Sequence, residues 1–318
     1  MRVLVTGAAG FIGSSVSQRL LERGDAVVGL DNLDPFYDPA LKRANLAALA
    51  QLPGFAFREG DILDGALLDE VLAPGIDRVV HLAALAGVRP SIAAPERYMR
   101  VNVEGTTRVL EACRRHGVRH LVVASSSSVY GARSRTPFSE EDACDRPASP
   151  YAASKRATEL VCATFHELHG LGVSCLRYFT VFGPRQRPEM AIHAFVRKAL
   201  AGESIPRFGD GSTGRDYTFI DDIVAGTIAA LDRQDGAFRI YNLGRSTPVL
   251  LRELIDAVGR ATGTAPRIEV LPDQPGDVPI TCADTSRAEA ELGYRPQVSL
   301  DEGLARFVAW IRTPTRAG

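Results

Sequence analysis

Tyr151 and Lys155 stand four residues apart in Pro150-Tyr-Ala-Ala-Ser-Lys-Arg-Ala-Thr-Glu159. The stretch predicts a helix, and that spacing sets both side chains on one face. Such a pair suits proton transfer. A phenol with a pKa of ~10 is almost wholly protonated at neutral pH, so it serves as a base only beside a cation, and Lys155 supplies one. Taken alone, the pair also fits an amphipathic helix with a chance Tyr and Lys. Upstream, Ser125-Ser-Ser-Ser128-Val-Tyr-Gly131 sets four hydroxyls directly after the apolar run 120–124. In open α/β sheets, ligands bind at that carboxyl end of a strand, although a serine turn also caps helices and satisfies loop amides.

A second constellation opens the chain. In Val3-Leu-Val-Thr-Gly7-Ala-Ala-Gly10-Phe-Ile-Gly13, strand, glycine turn and helix follow one another. Gly7 permits a tight turn, Gly10 lets backbone approach a pyrophosphate, and Gly13 lets the helix pack on the strand, with the helix N-terminus toward the anion. The spacing is G-x-x-G-x-x-G, and glycine serves many βα turns, so the motif needs support. Asp31 gives it, directly after the second apolar run. A carboxylate there accepts hydrogen bonds from the adenosine ribose hydroxyls and repels a 2′-phosphate, which favours NAD over NADP.

These groups need a scaffold, and apolar runs alternating with helical segments predict one. Residues 2–6, 26–30, 78–82, 120–124 and 173–178 read as buried strands, with 55–59 a weaker sixth; 11–23, 63–72, 95–116 and 150–169 read as helices. The alternation predicts an α/β fold, a Rossmann-type doubly wound parallel sheet. Beyond Phe182, prolines break the chain into shorter elements, with helices expected over 190–201, 221–231, 250–262 and 300–311. We therefore expect a cofactor domain over 1–180, to which 216–246 returns, and a smaller substrate lobe over 181–318.

With 318 residues, 45% hydrophobic and 24% charged, the chain can bury a large core. A net charge of -1 without a basic stripe argues against nucleic acid. No apolar run is long enough to span a bilayer and the N-terminus lacks a basic leader, so a cytoplasmic enzyme without membrane attachment is expected. The five cysteines lack C-x-x-C spacing, so neither a disulfide framework nor a metal site is expected. His81, His120 and His193 read as structural.

In this order, the glycine turn, serine-rich strand end and Tyr-x-x-x-Lys resemble the extended short-chain dehydrogenase/reductase family over nearly the whole chain. The resemblance implies a catalytic set of Ser126, Tyr151 and Lys155. It also implies NAD contacts from Phe11, Ile12, Asn32, Asp61, Ile62, Leu82, Ala83, Ala84, Asn102 and Ser125 besides Gly7, Gly10, Gly13 and Asp31, with Tyr178 near the nicotinamide. Within the family, Arg177-Tyr-Phe-Thr-Val-Phe-Gly-Pro-Arg-Gln-Arg-Pro-Glu-Met190 and Gly214-Arg-Asp-Tyr-Thr-Phe-Ile-Asp-Asp222 are similar to segments of UDP-sugar 4-epimerases, above all those acting on UDP-glucuronate. Substrate contacts would then come from Ser127, Ser128, Thr180, Met190 and Asp277, and a homodimer would form through the helices over 95–116 and 150–169.

Arginines supply the cations that a nucleotide sugar needs. Arg215, beside the glycines of 209–214, suits a diphosphate and equally a solvated surface. Arg89, Arg185 and Arg187 lie near expected strand ends, where one could hold a sugar carboxylate. A departure from the related enzymes is Gln274, where many place an arginine before Pro275-Gly-Asp277.

The resemblance implies that Tyr151, aided by Ser126, takes the 4-hydroxyl proton while hydride leaves C4 for NAD. The bound 4-keto sugar then turns over and receives the hydride on its other face, with no net redox change. A 4,6-dehydratase would need an Asp-Glu pair where Ser127 and Ser128 stand. A UDP-glucose 4-epimerase and a UDP-glucuronate decarboxylase remain open, since a 4-keto uronate is a β-keto acid. A non-catalytic NAD-binding regulator is the alternative of another class, against which the intact Ser126, Tyr151 and Lys155 weigh.

Overall fold

Val3, Leu4, Val5, Val27, Val79, Val80, Leu121, Val122, Val173 and Leu176 are fully excluded from solvent, as strands covered by helices on both faces require. The computed structural model describes residues 1–131, 135–272 and 278–313. It begins with β1 (Arg2–Thr6), α1 (Phe11–Glu22), β2 (Ala26–Asp31), α2 (Pro39–Leu49), β3 (Phe55–Glu59), α3 (Gly65–Leu72) and β4 (Arg78–His81). Next come α4 (Val88–Ala93), α5 (Pro95–Tyr98), a π-helical stretch (Met99–Glu104), α6 (Gly105–Arg115), β5 (His120–Ser126), a 3-10 turn (Ser127–Tyr130), α7 (Pro150–His169) and β6 (Gly172–Tyr178). The remainder holds β7 (Thr180–Phe182), α8 (Ala191–Ala201), β8 (Ser204–Phe208), β9 (Gly214–Phe219), α9 (Ile220–Leu231), β10 (Phe238–Leu243), β11 (Pro248–Leu250), α10 (Leu251–Thr262), β12 (Arg267–Leu271), α11 (Ser286–Leu292) and α12 (Leu300–Arg312).

The main sheet has seven strands in the order β3-β2-β1-β4-β5-β6-β10, and every neighbouring pair is parallel. This is the doubly wound Rossmann order with a seventh strand added, and the order reverses between β1 and β4. That seventh strand, β10, is absent from the six runs read in the sequence. As an edge strand, its Phe238-Arg-Ile half is only partly buried, so it lacks the unbroken apolar pattern of a central strand. Helix α9 packs on α1 and against the sheet. The expected helix over 95–116 is three joined pieces, and α2, capped by the Asp38 carboxylate on the Ala40 amide, is an element that the periodicity does not reveal.

Beyond β6 the chain adds a three-stranded sheet, β11-β9-β7, and a parallel pair, β12-β8. One apolar core runs from α1 (Val16, Leu20) and β1 through Phe182, Phe219 and Val258 to Leu304 and Phe307 of α12. On the opposite face of the main sheet, a second core gathers α3, α6 and α7. Both pack on the sheet that carries the carboxyl ends of β1, β4, β5 and β6 side by side.

Candidate active site

A cleft of about 640 Å³ opens at those strand ends, where the strand order reverses. One arm is lined by Gly7, Gly10, Phe11, Ile12, Gly13, Asp31, Asn32, Asp61, Ile62, Leu82, Ala83 and Ala84. The other is lined by Ser125 to Ser128, Tyr151, Lys155, Tyr178, Thr180, Arg187 and Met190. Most of the residues singled out in the sequence therefore meet here.

The first arm is shaped for an extended anionic ligand. Gly7 has φ +71°, and a Cβ there would sit 2.8 Å from the Ala83 nitrogen. A Cβ on Gly13 would sit 2.0 Å from the Gly7 carbonyl oxygen, so both positions accept only glycine if strand, turn and helix are to pack this closely. No side chain caps α1, which leaves first-turn N–H groups available to an anion. At the far end, Asp31 accepts from the amides of Ala9 (3.1 Å) and Leu33 (2.8 Å), which fixes its carboxylate at the cleft wall. These features fit a dinucleotide with an unphosphorylated ribose. Lys42, which the sequence reading passed over, approaches Asp31 to 4.0 Å while its Nζ donates to the Asp34 carbonyl at 2.9 Å. Its ammonium lies 4.9 Å from the centre of the Tyr37 ring.

On the second arm, Ser149 caps α7 by accepting from the Ala152 amide, with Pro150 as the first helical residue, a combination that fixes the helix start. Tyr151 and Lys155 consequently face the end of β5. Ser126 closes β5 and starts the 3-10 turn, its Oγ accepting from the Ser128 amide at 3.1 Å. Lys155 Nζ donates to the Ala124 carbonyl at 2.8 Å, and burial lowers its pKa to about 8.

Burial raises the Tyr151 pKa above the ordinary phenol value; a hydrogen bond with Ser126 and the positive charge of Arg187 oppose that rise. Arg187 is thus a cation that bears on the phenol and that the sequence reading did not name for this role, while Lys155 lies one turn further along the same face of α7. The Tyr151 ring meets Tyr98 edge-on, with centroids 6.2 Å apart. The Tyr178 hydroxyl is hydrogen-bonded to Thr227 at 2.9 Å, which pins its ring at the end of β6.

Arg187 reaches the cleft with one carboxylate beside it, Glu189 at 3.3 Å, and its guanidinium lies 5.4 Å from the centre of the Phe36 ring. Arg97 and Arg100 also line the cleft, whereas Arg89, Arg185 and Arg215, the other arginines singled out in the sequence, do not. Arg89 is exposed on α4. Arg185 takes a left-handed backbone (φ +70°), which turns it toward α1, where it donates to Gln18 Oε1 at 2.6 Å. Arg215 donates to the carbonyls of Gly214 (2.8 Å) and Val278 (2.7 Å). Asp277 lies outside the described residues, as do Gln274 and Pro275.

Asn102 is also away from the cleft surface. Fully buried, it donates to the Leu85 carbonyl (3.0 Å) and accepts from the Leu85 amide (2.8 Å), and so braces the Leu82 to Leu85 wall from behind. Ser125 lines the cleft, but its hydroxyl donates to Glu159 at 2.6 Å. His81 is hydrogen-bonded between Thr6 and Thr106, and burial holds its pKa at about 3, so it stays neutral. Among the described residues, no group of three His, Cys, Asp or Glu is arranged to hold a metal, and no helix is long and apolar enough to cross a membrane.

Known proteins are similar to this chain over nearly its whole length. A protein of Arabidopsis thaliana named UDP-glucuronate 4-epimerase 4 is 43% identical over 97% of this chain and 74% of its own length. The UDP-glucuronate 4-epimerase of Thermodesulfobacterium geofontis is 43% identical over 97% of this chain and 95% of its own. Among solved structures, that of UDP-glucuronic acid 4-epimerase from Bacillus cereus in complex with UDP-glucuronic acid and NAD superposes with a TM-score of 0.92, at 37% identity over 98% of this chain and 99% of that one. Residues 3–244 match the model of the NAD dependent epimerase/dehydratase family, and the chain belongs to that family.

Proposed function

We propose that this protein is an NAD-dependent UDP-sugar 4-epimerase that interconverts UDP-glucuronate and UDP-galacturonate through a 4-keto sugar. The observation that carries the reading is the meeting of Ser126, Tyr151 and Lys155 at one cleft with Arg187, a cation able to hold the uronate carboxylate. Residues 1–180 with 216–246 would hold the cofactor, and the rest of 181–318 the UDP-sugar. Such an enzyme would work on water-soluble substrates in the cytoplasm.

Bound in the first arm, NAD supplies a reversible hydride acceptor for sugar C4. The chain's own work is proton transfer and orientation. Tyr151 takes the 4-hydroxyl proton in one direction and returns it in the other, with Ser126 donating to the same oxygen and steadying the charge that develops there. Lys155, held by the Ala124 carbonyl, keeps a positive charge close to the phenol. Tyr178 walls the cleft at the end of β6, and Arg187 orients the carboxylate.

Incubation with UDP-glucuronate, UDP-galacturonate, UDP-glucose and UDP-galactose, followed by chromatography, tests the assignment. Either uronate should yield the same mixture of the two. Exchange confined to the neutral pair would make the protein a UDP-glucose 4-epimerase, and a UDP-pentose as main product would make it a decarboxylase. Binding of NAD with no sugar altered would indicate a regulator.

Two further expectations follow from placement. Asp31 should make NAD bind more tightly than NADP in calorimetry, because a 2′-phosphate would meet its carboxylate; tighter binding of NADP would count against that role. A homodimer is supported by the apolar residues left outside: Leu160 (53% exposed) and Leu168 (70% exposed) stand on one stripe of α7, with Met99 on the adjoining π-helical stretch. Leu160→Arg together with Leu168→Arg should convert a dimer to a monomer in sedimentation analysis, and an unchanged sedimentation coefficient would exclude this face.

A further inference from the structure

Glu159 is 1% exposed and lies one helical turn beyond Lys155. Its Oε1 accepts from Ser125 Oγ at 2.6 Å and from Arg177 Nε at 2.8 Å. Its Oε2 accepts from Arg177 Nη2 and Arg156 Nη1, both at 2.9 Å. Arg177, also 1% exposed, donates through Nη1 to the Tyr130 hydroxyl at 2.9 Å, and that hydroxyl donates to Asn242 Oδ1 at 2.6 Å. Across the sheet, Arg177 pairs directly with Ser125 on β5 and with Asn242 on β10. One carboxylate thus ties α7 to β5 and β6, and through Tyr130 to the 3-10 turn that carries Ser127 and Ser128.

A buried ion pair is a costly way to fill a core, since apolar residues of equal volume often give as much stability. What charges add is direction. Tyr151, Lys155 and Glu159 form one i, i+4 row on α7, facing Ala124, Ser125 and Ser126 on β5. Lys155 reaches the Ala124 carbonyl and Glu159 takes the Ser125 hydroxyl, so two successive ties lace helix to strand. Ser126 and Tyr151 stand at the open end of this ladder.

We propose that Glu159 is a positioning residue: by holding Ser125 and Arg177 it sets the separation of Ser126 from Tyr151 on which proton transfer depends. This rests on the epimerase reading for its kinetic consequence, not on the identity of the sugar.

Glu159→Gln would leave the Arg177 guanidinium poorly paired and could unfold the protein, so the informative change is Ser125→Ala. It removes one tie while Arg177 and Arg156 still neutralise Glu159. A displacement of the reacting groups by a fraction of an ångström should cost about ten-fold in kcat, with KM and bound NAD unchanged. Loosening the Ser126 bond removes a contact that favours the ionised phenol, so the acid limb of the kcat profile should move to higher pH. The other groups facing Tyr151, namely Lys155, Arg187 and Tyr98, stay in place. Ser125→Thr, which keeps the hydroxyl, should restore both.

A second readout needs no sugar. Titration of the NAD-loaded protein by tyrosinate absorbance, taken as a difference from Tyr151→Phe, should give a higher apparent pKa in Ser125→Ala than in wild type. Wild-type kcat with an unshifted titration would overturn the proposal, as would equal losses in the Ala and Thr variants. If wild-type protein epimerises no UDP-sugar, the epimerase reading fails, and the titration still decides whether Glu159 positions the phenol.

Discussion

Tyr151→Phe is expected to lower turnover by about 10²- to 10⁴-fold, the range that a positioned acid or base contributes, while NAD binding survives. The ring's edge contact with Tyr98 is kept, and the glycine turn and Asp31 lie on the other arm of the cleft. Only the titratable hydroxyl disappears. Its environment explains why the protein must work to use it: burial disfavours the phenolate, and Ser126 and Arg187 oppose that penalty. Near-normal kcat in the variant, with NAD bound, would remove Tyr151 from the role of base. Loss of NAD binding would mean that the phenol holds the cofactor instead.

Arg187→Met is the second large effect, and it should separate substrates. A hydrogen bond to a charged group contributes roughly 1.5 to 3 kcal/mol, so KM for UDP-glucuronate should rise about ten-fold or more, with UDP-glucose little affected. The guanidinium is well placed for capture: it lines the cleft, pairs with the exposed carboxylate of Glu189 and lies over the face of Phe36. Holding the carboxylate also bears on its fate. Breaking the C5 to carboxylate bond requires that bond to align with the carbonyl π system, so a clamped carboxylate protects the 4-keto uronate. UDP-pentose release, followed by mass spectrometry, should therefore increase in the variant.

Because Arg187 also favours ionisation of Tyr151, its removal should move the acid limb of kcat upward for both sugars. The substrate-specific part lies in KM and in the pentose. Equal KM changes for both substrates without extra pentose would assign Arg187 to the diphosphate or the fold.

The parts of this fold legible in the sequence are those whose burial is complete. β1, β2, β4, β5 and β6 are buried along nearly their whole length, each around an apolar run, because helices cover both faces. β10 is mixed in character because it closes the sheet's edge, where the first half of the strand is only partly buried. In the site, the glycine turn and the Tyr151, Lys155 row could be seen because contiguity and helical spacing set their geometry. The arginines could not be ranked, since side-chain direction there depends on loop backbone. Arg185 and Arg187 are two residues apart, yet the left-handed turn at Arg185 sends one to α1 and leaves the other in the cleft. Phe36, Tyr37 and Lys42 lie where the chain enters α2 and carry no periodic signal. Glu159 extends the same i, i+4 row by one turn, but its role depends on Arg177, which comes from a different strand.

The most direct test of epimerisation at C4 uses UDP-glucuronate carrying deuterium on that carbon. Incubated with the purified protein and NAD, it should give UDP-galacturonate in which mass spectrometry finds the deuterium still on C4, with none lost to solvent. Loss of the label to water, or no UDP-galacturonate at all, would contradict the account.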